Sequence, residues 1–119
     1  MKPKNIKEFK ALVERYESIK LKEIKKHWQM LDYPGYKTAH ILTGFHDTMT
    51  CSLCRATHNK VYDQHNCSRC VYEFIEGCHR RNNQETYYAI WGAESPKELL
   101  SAFRARAKHL RKTYPQYLE

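Results

Sequence analysis

The chain has 119 residues, enough for one domain with a modest core, and its 41% hydrophobic and 29% charged content excludes a disordered composition. No apolar run approaches the roughly 20 residues of a bilayer span, and the charged residues 1–10 lack the apolar segment of a signal peptide, so a cytoplasmic location is expected. The net charge of +8 is uneven: residues 1–32 carry nine Lys/Arg against five acids and residues 81–119 seven against four, whereas 51–80 carry four against three. The two ends therefore hold the positive field, which favours acidic partners, nucleic acid first.

Ile6, Phe9, Leu12, Val13 and Tyr16 recur at helical spacing, and a second stripe follows in Leu21, Ile24, Trp28 and Leu31. The stripes are out of phase across residues 18–20, which predicts two helices near 5–17 and 20–32, one bent helix being the alternative. Lys22, Lys25 and Lys26 lie off the second stripe, as a solvated face or as a binding surface. Tyr33-Pro34-Gly35 breaks this unit. A short helix is expected over 36–43, capped by Gly44, and an extended run over 45–50. A short strand is expected at Lys60-Val61-Tyr62 and an apolar segment at 71–75.

Tyr87, Ile90 and Trp91 predict another short helix, closed by Gly92. The clearest helix start follows, with Ser95 as N-cap, Pro96 at the first helical position and Glu98 three residues after the cap. Leu99, Phe103, Ala107 and Leu110 form its buried stripe, and Pro115 ends it. Lys97, Arg104, Lys108 and Arg111 fall together on the opposite side as a candidate binding face for nucleic acid or a protein partner.

Between the helical ends lie Cys51-Ser52-Leu53-Cys54 and Cys67-Ser68-Arg69-Cys70, separated by twelve residues. A two-residue gap lets one tight turn aim two sulfurs at a point, and two such turns supply the four thiolates of a tetrahedral Zn²⁺. A pair of redox-active or free thiols and an iron–sulfur cluster are the competing readings; no βαβ context or ferredoxin spacing favours either. Cys78 reads as a buried free thiol or as a substitute for one of the four, and His46 as a further replacement ligand. A closed shell of four thiolates leaves no position for water, so the zinc is expected to be structural. The fold class that follows is mainly α with a small zinc-binding module. One domain, 1–119, comprises an N-terminal helical part (1–44), a central four-cysteine zinc knuckle or ribbon (45–80) and a C-terminal helical part (81–119).

Enzyme chemistry has one foothold. His58-Asn59 and His65-Asn66 resemble the short signatures of HNH nucleases, some of which carry two CxxC pairs. Those sites need a general-base His at a strand end and a second His or Asn on the following helix, and neither the loop position here nor the run from His79 to Asn82 and Asn83 supplies that pattern. With four glycines in the chain, no phosphate-binding loop or small-molecule site is evident. His27 and His109 sit on expected helices as ordinary surface or core residues.

The runs Leu42-Thr43-Gly44-Phe45, Thr50-Cys51-Ser52-Leu53-Cys54, Cys67-Ser68-Arg69-Cys70-Val71-Tyr72, Gly77-Cys78, Thr86-Tyr87 and Ser95-Pro96-Lys97-Glu98-Leu99-Leu100 resemble a largely uncharacterised group of small phage and prophage proteins with two CxxC pairs, a further cysteine and a C-terminal helix. The resemblance implies a phage origin and a place in the host cytoplasm. It also implies a second class of function beside nucleic-acid binding, inhibition of a host defence protein such as a CRISPR effector.

Overall fold

The computed structural model describes residues 5–44 and 84–118, together with the backbone of 58–59 and 64–65. Five helices make up most of it: α1 (Ile6–Ser18), α2 (Leu21–His27), α3 (Pro34–Thr43), α4 (Glu85–Trp91) and α5 (Pro96–Thr113), followed by a 3₁₀ turn at Pro115–Tyr117. Two short strands, β1 (His58–Asn59) and β2 (Gln64–His65), pair antiparallel with His58 opposite His65. The fold is mainly helical, as the spacing predicts.

The helix α5 is the axis of the assembly. It packs on α1, α2, α3 and α4, so the two ends of the sequence share one core. Its apolar stripe, Leu99, Phe103, Ala107 and Leu110, is buried against Phe9, Leu12, Val13 and Tyr16 of α1. Phe103 stacks on Tyr16 with ring centroids 5.4 Å apart. Each such aromatic side chain, fully buried, contributes about 2–3 kcal/mol of transfer free energy. The start of α5 is set by local chemistry. Ser95 Oγ accepts the Glu98 N–H at 3.2 Å, and the Glu98 carboxylate accepts the Glu94 N–H at 2.9 Å, one residue before the usual target of a capping box. The helix ends at Thr113 because the residue before Pro115 is driven out of helical geometry.

The joint between α1 and α2 falls at Ile19, which is extended and fully buried. Two expectations for the next segment need correction. The second helix was expected to reach residue 32, but α2 stops at His27. The backbone turns extended at Trp28, and the Gln29 N–H donates to the buried Thr38 Oγ1 at 3.0 Å instead of continuing the helical ladder. Trp28 still packs on the core, but Leu31, expected on the buried stripe, is 78% exposed. The third helix starts at Pro34 rather than 36, because a proline at the first helical position suits the helix and gives up no hydrogen bond.

Gly35 lies where α3 crosses the end of α4. A Cβ at this position would sit 2.4 Å from the Ile90 carbonyl oxygen and 2.8 Å from that of Ala93. That approach brings Tyr36 onto the Trp91 ring, stacked at 4.0 Å. Gly44 closes α3 in the left-handed conformation (φ 71°) as expected, its N–H bonded to the His40 carbonyl.

Candidate functional site

The metal ligands read from the sequence, Cys51, Cys54, Cys67 and Cys70, with Cys78 and His46 as substitutes, lie outside the described residues. So do the strand expected at 60–62, the extended run 45–50 and the apolar segment 71–75. Among the described residues no group of three or more His, Cys, Asp or Glu could hold a metal ion. The β1–β2 pairing does fall between the two CxxC pairs, so the twelve-residue interval turns back on itself at His58 and His65.

The basic residues divide by type. Arg104, expected on the exposed basic face of α5, reaches the end of α1, where it donates to the Tyr16 carbonyl at 2.6 Å, and the joint beyond it, where it donates to the Ile19 carbonyl at 2.5 Å. Tyr16 O is one of the last four carbonyls of α1, which have no partner inside the helix, and a cation there also meets the negative end of the helix dipole. Arg111 forms a two-pronged pair with Glu17 at 2.5 and 2.7 Å. The hydrogen bond from Arg111 lowers the Glu17 pKa, and the same bond raises that of Arg111. Arg15 does similar work at another corner. Its Nη2 meets Glu23 of α2 at 2.8 Å and its Nε donates to the Leu42 carbonyl near the end of α3 at 3.0 Å. That pairing lowers the Glu23 pKa, chiefly through the hydrogen bond from Arg15.

Arg106 is the residue that sequence inspection passed over. It is fully buried, donates to Thr86 Oγ1 at 3.0 Å, and lies 5.6 Å above the Tyr87 ring. Thr86 belongs to the first turn of α4, where the Gln84 side chain caps the helix by accepting the Thr86 N–H at 2.7 Å. A signal was present: Arg106 is three residues after Phe103 and four before Leu110, which puts it on the apolar stripe. All four arginines among the described residues are thus engaged inside the fold.

The lysines behave in the opposite way. Lys22, Lys25 and Lys26 on α2 and Lys97 and Lys108 on α5 are exposed, and none has a carboxylate partner among the described residues. The helices that bear them, α2 and α5, are packed together. Of the four cations expected to act together on α5, Lys97 and Lys108 face solvent uncommitted, and Arg104 and Arg111 are held by α1. A second surface feature is apolar. Met30, Leu31 and Tyr33, in the connection between α2 and α3, are 83%, 78% and 65% exposed.

Comparison of the chain with protein-family models, curated proteins and solved structures returns no match. No described helix is long and apolar enough to cross a membrane.

Proposed function

We propose that the chain is a non-enzymatic, zinc-stabilised binding protein of the small phage type, contacting nucleic acid through lysines on α2 and α5. The observation that carries this reading is the set Lys22, Lys25, Lys26, Lys97 and Lys108, solvent-facing and without carboxylate partners among the described residues. An ammonium on a flexible stem forms a sequence-independent contact with phosphate, and each such contact releases counterions. Arg104 contributes to the local positive potential while its hydrogen bonds are directed at the Tyr16 and Ile19 carbonyls, and the charge of Arg111 is offset by Glu17.

The zinc belongs to the same proposal. Cys51, Cys54, Cys67 and Cys70 are its ligands, with Cys78 as the substitute. Cys54 precedes the paired His58 by four residues and Cys67 follows His65 by two. At the reach of an extended chain these intervals allow at most roughly 14 and 7 Å from a pair of facing Cα atoms about 5 Å apart. The pairing is compatible with both CxxC turns reaching a single ion. Four thiolates close its shell, which favours a scaffold role over catalysis.

Mobility-shift titration over increasing salt tests the nucleic-acid contact. Five engaged lysines give a slope of log K against log[salt] near about −4.5 on duplex DNA. Replacing Lys22, Lys25 and Lys26 by glutamine reduces that slope by about 3, whereas Arg111→Gln changes thermal stability and leaves the slope nearly as it was. No binding at low salt refutes the reading. The exposed Met30, Leu31 and Tyr33 favour a second reading, an inhibitor that docks on a host protein. A complex that survives nuclease treatment and is lost on Met30→Ser with Leu31→Ser supports it.

A further inference from the structure

One cavity among the described residues is lined by two carboxylates and no basic side chain, in a chain of net charge +8. It opens between the start of α3 and the end of α4, with a volume of about 520 Å³, and is lined by Asp32, Tyr33, Pro34, Trp91 and Glu94 among others. Neither Asp32 nor Glu94 has a cationic partner among the described residues, in a chain of net charge +8. The N-terminal end of α3 and the C-terminal end of α4 both border the cavity and present opposite dipole ends. Their fields offset each other, so the sign of the site rests on the two carboxylates.

The aromatic wall is held in place. Tyr36 stacks on Trp91 at 4.0 Å with rings 24° apart and fixes the indole. Tyr33 stands nearly edge-on to the same indole, 6.2 Å away at 73°. Tyr33 has φ 55° and ψ 56°, the left-handed region, and is the sole non-glycine residue among those described to adopt it. A bulky aromatic in this conformation carries a local energy penalty that the surrounding structure must hold, and such strain concentrates at binding sites. The chain thereby sets two ring planes at a wide angle, with the aromatic residue that completes the corner 65% exposed.

Two angled π-faces with two uncompensated carboxylates recognise an organic cation. We propose that this cavity binds the guanidinium group of an arginine side chain presented by a partner polypeptide. A guanidinium is planar and weakly hydrated, stacks on aromatic faces and can fork onto a carboxylate. The exposed Met30 and Leu31, immediately before Asp32 in the chain, offer apolar contact to residues flanking that arginine. The site goes beyond the lysine surface: it selects a basic group, which a polyanion does not carry.

The test uses the intact ¹⁵N-labelled protein and follows the two tryptophan indole signals during titration with N-acetyl-arginine amide, with Trp28→Phe assigning them. The expected result is a saturable shift of the Trp91 signal with the Trp28 signal unmoved. The isosteric neutral citrulline amide gives no saturation. Tyr33→Ala and the double change Asp32→Asn with Glu94→Gln each weaken binding at least about five-fold. The α-helical circular dichroism of each variant shows that the fold is kept. Four results overturn the proposal: no saturation by about 50 mM arginine amide, an equal response to citrulline, unchanged affinity in the carboxylate variant, or tetramethylammonium binding at least as tightly as arginine. The last assigns the cavity to compact ammonium groups instead. None of these outcomes depends on nucleic-acid binding.

Discussion

Gly35→Ala sets two effects of opposite sign against each other. Helix propensity alone favours alanine by up to about 1 kcal/mol, less so in the first turn where Gly35 sits. Packing opposes it. The new methyl would lie 2.4 Å from Ile90 O, 2.8 Å from Ala93 O and 2.9 Å from Ala93 Cβ, where ordinary contact begins at 3.4 Å. Two of the three obstacles are backbone atoms, so no rotamer change relieves them. The α3–α4 crossing must open by 3.4 − 2.4 = 1.0 Å at its tightest point. Overpacking of this kind costs about 1–3 kcal/mol, and the net effect is a loss of about 1–2 kcal/mol. For a chain of this length that lowers Tm by roughly 3–8 °C. The same movement pulls Tyr36 from Trp91, so near-ultraviolet circular dichroism and tryptophan emission change together with the melting curve. A Tm that stays level or rises refutes the argument, and with it the claim that glycine is present to let two backbones approach.

Further outcomes follow from the charged network and from the proposed zinc site. Arg104→Gln removes two charge-assisted bonds, to the Tyr16 and Ile19 carbonyls, and lowers stability by about 1–2 kcal/mol, read by urea denaturation, with the salt slope of nucleic-acid binding nearly unchanged. Glu17 and Glu23 have folded pKa values below the ordinary 4.5. Their pairs therefore contribute fully above that value and fade as pH falls through the folded values, where the unfolded chain already binds the protons. Both side chains are about 40% exposed, so each pair contributes less than about 1 kcal/mol. Glu17→Gln flattens the acid limb of stability against pH. Metal analysis gives one zinc per chain, lost on Cys51→Ser with Cys67→Ser and retained on Cys78→Ser. Loss of zinc in Cys78→Ser would move the fifth cysteine into the shell.

What could be read ahead of the structure was what local chemistry decides. Ser95, Pro96 and Glu98 announce α5 because a cap needs residues within four positions of one another. The joint at Ile19 was visible because two apolar stripes slip out of phase there. The errors lie where tertiary contacts override local preference. Leu31 fits the periodicity of α2, but Thr38, nine residues on from Gln29, captures the Gln29 N–H, and the helix ends early. Tyr33-Pro34-Gly35 reads as a break, yet Pro34 begins a helix and Gly35 serves a crossing with a segment more than fifty residues away. The cavity at Tyr33 and Trp91 could not be found by spacing, because its walls come from the two ends of the chain.

Charge was the least legible feature. The sequence contributes each cation equally to the total of +8, but the fold separates them. Arg15, Arg104, Arg106 and Arg111 tie helix ends, helix corners and the α4–α5 contact, because a rigid planar fork can satisfy fixed carbonyls and carboxylates. Among the described residues no lysine forms an ion pair. A surface organised in this way can gain, lose or move exposed lysines while the scaffold is untouched, and a change at any of these four arginines disturbs the scaffold at once. On the proposed function, affinity for nucleic acid and persistence of the fold are written in different letters and free to vary independently.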